Sequence, residues 1–180
     1  MSIPLRDLDG LSPSRLFAQL DPALRLLAAR ALYAHDWQDR PTRREADLAV
    51  AQALRSREVA IRKLPTDRRA EYLARAVRPS DSLAVSLLMA LHLEQRRGLL
   101  AAFLDALEIP HKDGIIEEGH DLRAPSASRL ESAAHALFRS HPGEEVEIYL
   151  ATLLAMDREV WGGLAAVLAA RRLDGPGTRS

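Results

Sequence analysis

The chain has 180 residues, contains no cysteine, and balances 25 basic residues against 25 acidic ones. This length is typical of one domain with its own hydrophobic core. The lack of cysteine excludes disulfides, thiolate metal sites and a cysteine nucleophile, and the zero formal charge provides no overall field that favours nucleic acid or an anionic membrane.

The start of the chain and its apolar segments predict a protein without a membrane segment. Residues 1–15 lack the basic region and unbroken apolar stretch of a signal peptide. No window approaches the roughly 18 uninterrupted apolar residues that indicate a transmembrane helix. We therefore expect a cytoplasmic protein that does not enter the membrane.

Residues that suit the first turn of a helix divide the chain into predicted helices. Near the N-terminus, Ser12 precedes Pro13 and Asp21 precedes Pro22, so each pair joins a capping side chain to a proline that begins a helix well. The later predicted starts are the capping boxes Thr42–Glu45 and Ser128–Glu131 and the single caps Thr66, Ser80 and Asp157. These signals predict about eight or nine helices.

The spacing of apolar residues also indicates helices. One predicted helical face is formed by Leu24, Leu27, Ala28, Ala31 and Leu32. Residues 83–93 are apolar almost all round, which predicts a central helix surrounded by its neighbours. No convincing alternation of β-branched residues indicates a strand. We predict an all-α fold, with a single compact multi-helix domain over residues 1–173 and a flexible C-terminal tail over residues 174–180.

Two segments of the chain resemble each other. Residues 87–104 and 153–168 each read as a helix, a charged turn with glycine, and a second helix, and residues 48–77 could form a third such hairpin. Stacked helical hairpins would bury faces that no single hairpin can bury. Because Ala/Leu-rich helices resemble each other through composition alone, a true repeat and a chance likeness both stay open.

The stretch 109–125 is long and polar for a connection between helices, which usually has about two to eight residues. The candidate ligands of a divalent metal, which are also candidate general acids and bases, are His111, Asp113, Glu117 and His120. Gly114 and Gly119 argue against a helix that would present these side chains on one face. The alternative interpretation is a solvated acidic connection that packs in part against the helices.

A basic run covers residues 55–78, with eight basic residues against three acidic ones. Such a run can contact phosphates, and the candidate nucleic-acid-binding residues are Arg62, Lys63, Arg68 and Arg69. Only Tyr72 is aromatic, so the alternative is a pair of solvated helix faces with local salt bridges. Residues 105–121 carry six acidic residues against Lys112, and this acidic segment could pair with the basic run within the fold or across a dimer.

Trp161 stands beside Gly162 and Gly163 and has one of the largest apolar side chains of the protein. A tryptophan side chain usually packs in the core, and its burial contributes about 2–3 kcal/mol to the free energy of folding. If Trp161 were exposed, it would be a candidate interface anchor.

Three functions follow from these features. The first is a non-catalytic helical protein that mediates protein–protein interaction or self-association, with a protein partner or a homo-oligomer and no cofactor. The second is a metal-dependent or acid–base enzyme that uses residues 109–125. The third is a nucleic-acid-binding protein that uses residues 55–78. The balanced charge and the lack of a recognised catalytic motif favour the first.

Overall fold

The computed structural model describes residues 8, 10–34, 40–117 and 123–173. Within these residues the chain forms eleven helices and one two-stranded hairpin, which confirms the all-α fold class. The helices are α1 (Pro13–Gln19), α2 (Pro22–Ala34), α3 (Arg40–Ala53), α4 (Glu58–Arg62), α5 (Thr66–Ala76), α6 (Asp81–Gln95), α7 (Arg97–Ala106), α8 (Ala127–Ser140), α9 (Gly143–Met156), α10 (Arg158–Trp161) and α11 (Leu164–Leu173), and the strands are β1 (His111–Lys112) and β2 (Ile115–Ile116). None of the described helices is long and apolar enough to cross a membrane.

The helix count exceeds the predicted number because two helices are single turns. α4 has five residues and α10 has four. α10 begins after Asp157, whose carboxylate accepts hydrogen bonds from the backbone N–H groups of Glu159 and Val160 at 3.0 and 3.1 Å. The start of α10 was predicted from Asp157, but a single turn contains no full apolar repeat, so its end at Trp161 and its separation from α11 were not predicted.

Four predicted caps are confirmed, namely Ser12, Asp21, Ser80 and Asp157. The first three accept a hydrogen bond from the backbone N–H three residues later, at 3.4, 2.9 and 3.1 Å respectively. Each bond satisfies one of the backbone donors that have no partner within the first helical turn. Short polar side chains before an apolar repeat were therefore reliable signals at these positions.

Three other predicted caps were wrong, namely Thr42, Thr66 and Ser128. α3 already begins at Arg40, with Pro41 in its first turn. α5 begins at Thr66 itself, after Pro65, and α8 is capped by Ser126, whose Oγ accepts from the backbone N–H of Arg129 at 3.4 Å. Proline tolerates the first helical turn because its missing N–H needs no partner there, so Pro41 lets α3 begin before Thr42.

The chain divides into two compact units, and the full sequence ranges assigned to them have opposite formal charges. Residues 12–95 form one unit, with 14 basic and 10 acidic residues, so its formal charge is +4; we call it the basic unit. Residues 1–11 and 96–180 form the other unit, with 11 basic and 15 acidic residues, so its formal charge is −4; we call it the acidic unit. The predicted domain 1–173 spans both units, and the predicted tail 174–180 lies outside the described residues.

In the basic unit, α6 is the central element. It packs against α1, α2 and α3, and α2 also packs against α5. Leu87, Leu88 and Leu91 of α6 are fully buried. Burial of a leucine side chain contributes about 1.5–3 kcal/mol, so this helix supplies a large share of the unit's hydrophobic stabilisation. The interpretation of residues 83–93 as a central helix is confirmed.

In the acidic unit, α9 packs against α8, α10 and α11, and α7 packs against α8. Phe103 of α7 is fully buried, with its ring edge-on to Tyr149 at 5.6 Å and tilted against Trp161 at 5.9 Å between ring centroids. Arg158 donates a hydrogen bond to the carbonyl of Leu8, which attaches the start of the described chain to α10. Three aromatic side chains therefore form the centre of this core.

The two similar segments 87–104 and 153–168 occupy different settings. α6 belongs to the basic unit and α7 to the acidic unit, whereas α9 and α11 lie in the same unit and pack against each other. Only the second segment is a hairpin within one unit. The two segments therefore differ in their packing, and the structure does not show them as two copies of one hairpin.

Candidate functional site

A pocket of about 400 Å³ in the basic unit is lined mainly by arginines. Its lining residues are Tyr33, Arg43, Arg44, Asp47, Arg62, Thr66 and Arg69. We call it the arginine pocket. The lining contains four guanidinium groups and one carboxylate, a formal charge of +3, and Glu58 outside the lining pairs with two of these arginines. It forms because α3 packs against both α4 and α5, which brings arginines from three helices to one opening.

A buried network lies at the base of the arginine pocket. The Tyr33 hydroxyl donates to Asp47 Oδ1 at 2.9 Å, and Arg69 Nη1 donates to Asp47 Oδ2 at 3.1 Å. The Arg69 guanidinium also lies over the Tyr33 ring, 4.8 Å from its centroid. The Asp47 side chain is only 5% exposed, so the hydrogen bonds from Tyr33 and Arg69 replace the water that would otherwise solvate its carboxylate.

The same network keeps Tyr33 protonated. Burial, followed by the negative charge of Asp47, raises the pKa of the Tyr33 hydroxyl far above its usual value. Tyr33 is therefore a hydrogen-bond donor that holds Asp47 in place, and it does not act as a base at neutral pH. Thr66 adds a further support, because its Oγ1 accepts from Arg69 Nη2 at 3.3 Å.

Two arginines of the lining, Arg44 and Arg62, pair with a carboxylate that is not part of the buried network. Glu58 Oε1 lies 3.4 Å from Arg44 Nε and 3.9 Å from Arg62 Nη1, so one carboxylate is shared by two arginines. The side chains of Arg44 and Arg62 are 68% and 65% exposed. The Glu58 side chain is 21% exposed, but both guanidinium groups remain mostly in water, so each pair contributes only about 1 kcal/mol or less and an outside anion can compete with Glu58.

The predicted nucleic-acid-binding residues separate into two groups. Arg62 and Arg69 line the arginine pocket, whereas Lys63 is exposed outside its lining and Arg68 pairs with Glu71 at 2.9 Å. Only two of the four predicted residues therefore belong to the arginine pocket.

Sequence reasoning missed Arg43 and Arg44, which lie outside the run 55–78. A usable signal was Asp47, a charged residue between the apolar positions Ala46 and Val50, because a buried carboxylate needs a cation nearby.

Residues 111–116 of the polar stretch form a β-hairpin. His111 pairs with Ile116 and Lys112 with Ile115, around a turn in which Asp113 and Gly114 have φ of +52° and +82°. Two positive φ values in a two-residue loop are the requirement of a type I′ turn, which favours Asp-Gly. A Cβ on Gly114 would lie 2.7 Å from Leu100 Cβ of α7, so the turn sits directly on that helix.

His111 is used to hold this hairpin. Its Nδ1 accepts from the backbone N–H of Gly114 at 3.2 Å, and its Nε2 lies 3.1 Å from Asp105 Oδ1. Both ring nitrogens therefore have structural partners, and a metal or a substrate proton would have to displace one of them. Asp113 and Glu117 are exposed, and the described residues contain no group of three or more histidines and carboxylates placed to hold a metal ion. His120, the fourth predicted ligand, lies outside the described residues.

Trp161, the candidate interface anchor, lies in the core of the acidic unit. It is 4% exposed and packs against Phe103. The neighbouring Gly163 lies close to α8, because a Cβ there would be 2.9 Å from Leu130 Cδ1. The glycine allows close contact between helices, and the tryptophan contributes to folding instead of presenting an exposed surface.

Fold and site together define an all-α protein with an arginine-lined pocket in its basic unit. Comparison with protein-family models, with curated proteins and with solved structures finds no match to the chain. The chemistry of the pocket and of the hairpin is accordingly the basis for the functional inference.

Proposed function

We propose that this chain is a non-catalytic helical binding protein whose arginine pocket accepts an acidic segment of a protein partner. The observation that carries the proposal is the carboxylate of Glu58, which pairs with both Arg44 and Arg62 of the pocket lining. A side-chain carboxylate already occupies the position that a partner's carboxylate would take. Arginine suits this task because its planar guanidinium donates two parallel hydrogen bonds to a carboxylate.

The network of Tyr33, Asp47 and Arg69 favours a binding function over a catalytic one. Asp47 accepts from both Tyr33 and Arg69, so its oxygens are engaged and do not face a substrate proton. No histidine or serine is among the residues that line the pocket. The lining therefore offers fixed positive charge, which favours recognition of an anion, and lacks the usual acid–base pair of a hydrolytic enzyme.

Nucleic acid is a poorer occupant than an acidic peptide. Single-stranded nucleic acid needs a groove of cations together with aromatic rings on which bases stack. Tyr33 is 6% exposed, and its ring is covered by the guanidinium of Arg69. The cations are gathered around one opening, and Arg68 outside it is occupied by Glu71. A short run of aspartate or glutamate matches this confined site.

Removal of two pocket arginines should weaken binding of an acidic peptide. We expect Arg44→Met/Arg62→Met to lower the affinity for fluorescein-labelled hexaglutamate about tenfold at low ionic strength, because two charge-assisted contacts worth about 1.4 kcal/mol together are lost. Fluorescence anisotropy measures the affinity. The matched control is Arg68→Met/Arg75→Met, which removes the same charge outside the pocket and should leave the affinity nearly unchanged.

Two outcomes would contradict the proposal. Equal weakening by both double variants would mean that the peptide responds only to net charge. Tighter binding of a single-stranded DNA oligonucleotide of equal charge, with both variants impaired, would favour the basic run as a nucleic-acid surface.

Removal of the internal carboxylate should have the opposite effect. Glu58→Gln leaves Arg44 and Arg62 without their shared anion, so we expect the affinity for hexaglutamate to rise about twofold to fivefold, as for loss of one weak competing ion pair. Glu71→Gln is the matched control, because Glu71 pairs with Arg68 outside the pocket. An unchanged affinity in Glu58→Gln would show that the peptide does not use these two arginines.

A further inference from the structure

The hairpin of the acidic unit presents an exposed acidic and apolar surface. We call residues 111–117 the acidic hairpin. Asp113 and Glu117 are exposed, and Ile115 between them is 49% exposed, which is high for a large apolar side chain. Successive residues of a strand point to opposite faces, so Ile115 lies on the face opposite to Ile116.

The end of α7 adds further carboxylates next to this hairpin. The side chains of Asp105 and Glu108 are 75% and 84% exposed. Asp105 contacts His111 of the hairpin, and Glu108 accepts from Arg129 Nη2 at 2.9 Å. Arg97 and Lys112 line a shallow pocket together with Asp113 and Glu117. Over the hairpin and the end of α7, the four carboxylates exceed the three basic side chains by one, with Arg129 counted.

The acidic hairpin is preorganised for binding. Its turn rests on α7 at Gly114, and His111 joins the turn to Asp105 through both ring nitrogens. The backbone N–H of Glu117 donates to the carbonyl of Pro110 at 3.3 Å and closes the base of the hairpin. A segment that is ordered before binding loses little conformational entropy when it docks.

The occupant that fits the arginine pocket is therefore present in the chain itself. We infer that the acidic hairpin of one copy binds the arginine pocket of a second copy, an inference that rests on the binding function proposed for that pocket. The formal charges of the two units, +4 and −4, favour the encounter of unlike units from different copies.

Sedimentation velocity of the full chain over a concentration series tests this inference. We expect reversible self-association at low ionic strength that declines as salt is added, because the contacts are largely exposed charges. Asp113→Asn/Glu117→Lys should weaken association at least tenfold, and asparagine at position 113 retains the preference for the left-handed turn. Arg44→Glu/Arg62→Glu should weaken it similarly.

A mixture of these two variants provides the decisive measurement. At concentrations where the unaltered chain associates, each variant alone should be largely monomeric. The mixture should associate, because the arginine pocket left intact in the first variant can accept the acidic hairpin left intact in the second. The matched control is Glu131→Lys/Glu159→Gln, which changes the charge of the acidic unit by the same amount at exposed positions away from the hairpin. This control should associate nearly as the unaltered chain does.

The outcomes separate this inference from the proposed function. A chain that binds hexaglutamate through Arg44 and Arg62 but stays monomeric at all salt concentrations would overturn self-association and leave the pocket's binding role intact. Association that is equally impaired in the control, or a mixture that remains monomeric, would also overturn it. Failure to bind hexaglutamate at the pocket would remove the proposed function itself.

Discussion

Replacement of Asp47 by alanine should lower the free energy of unfolding by about 3 kcal/mol. The substitution removes the acceptor of the Tyr33 hydroxyl and the ion-pair partner of Arg69 at the base of the arginine pocket. Loss of one partner from a buried pair costs about 3–5 kcal/mol because the remaining charge is left without compensation. Arg69 is 20% exposed and recovers some hydration, which places the expected cost at the lower end of this range.

Urea denaturation followed by far-ultraviolet circular dichroism measures this cost. Asp47→Asn is the informative comparison, because its side-chain oxygen still accepts from Tyr33 while the charge opposite Arg69 is lost. We expect it to destabilise the protein by about 1–2 kcal/mol, between the unaltered chain and the alanine variant. If alanine and asparagine had equally small effects, the Tyr33–Asp47–Arg69 network would not stabilise the basic unit.

Truncation of Phe103 to alanine should have the largest effect on the acidic unit, about 4 kcal/mol. The ring is fully buried and contacts Tyr149 and Trp161. Truncation of a buried phenylalanine to alanine typically costs about 3–5 kcal/mol, from lost transfer free energy and from the cavity that remains. Phe103→Leu retains most of the volume and should cost about 1–2 kcal/mol.

Trp161 provides a local reporter for this experiment, because its ring centroid lies 5.9 Å from that of Phe103. In a Trp37→Phe background, tryptophan fluorescence comes from Trp161 alone. We expect the urea midpoint of this signal to fall strongly in Phe103→Ala and only slightly in Phe103→Leu. A midpoint unchanged by Phe103→Ala would mean that the three aromatic side chains do not form the stabilising centre of this core.

The type I′ hairpin could have been predicted from two residues. Asp-Gly at 113–114, with Ile115 and Ile116 following, is the strongest short-range signal for such a turn. The signal was obscured because each strand has only two residues, too few for an alternating pattern. His111 looked like a metal ligand for a related reason, since only the folded turn places its two nitrogens against Gly114 and Asp105.

Only some residues of the arginine pocket could be predicted from the sequence. Arg62 and Arg69 were identified because they belong to a dense basic run, and charge density along the chain is visible without a fold. Arg43 and Arg44 were missed because they join the pocket only through packing of α3 against α4 and α5. Conversely, Arg68 stands beside Arg69 in the sequence but pairs with Glu71 on its own helix, so adjacency along the chain did not predict a shared site.

The amino-acid sequence by itself determined the helical class, the caps at Ser12, Asp21, Ser80 and Asp157, and the central position of residues 83–93. These features depend on spacing within one or two helical turns, over which side chain and backbone interact locally. Only the tertiary structure decided that Trp161 is buried and that Asp47 joins Tyr33 to Arg69. Both depend on contacts between helices that are distant in sequence. Such contacts follow from packing and desolvation, which patterns over one or two helical turns do not predict.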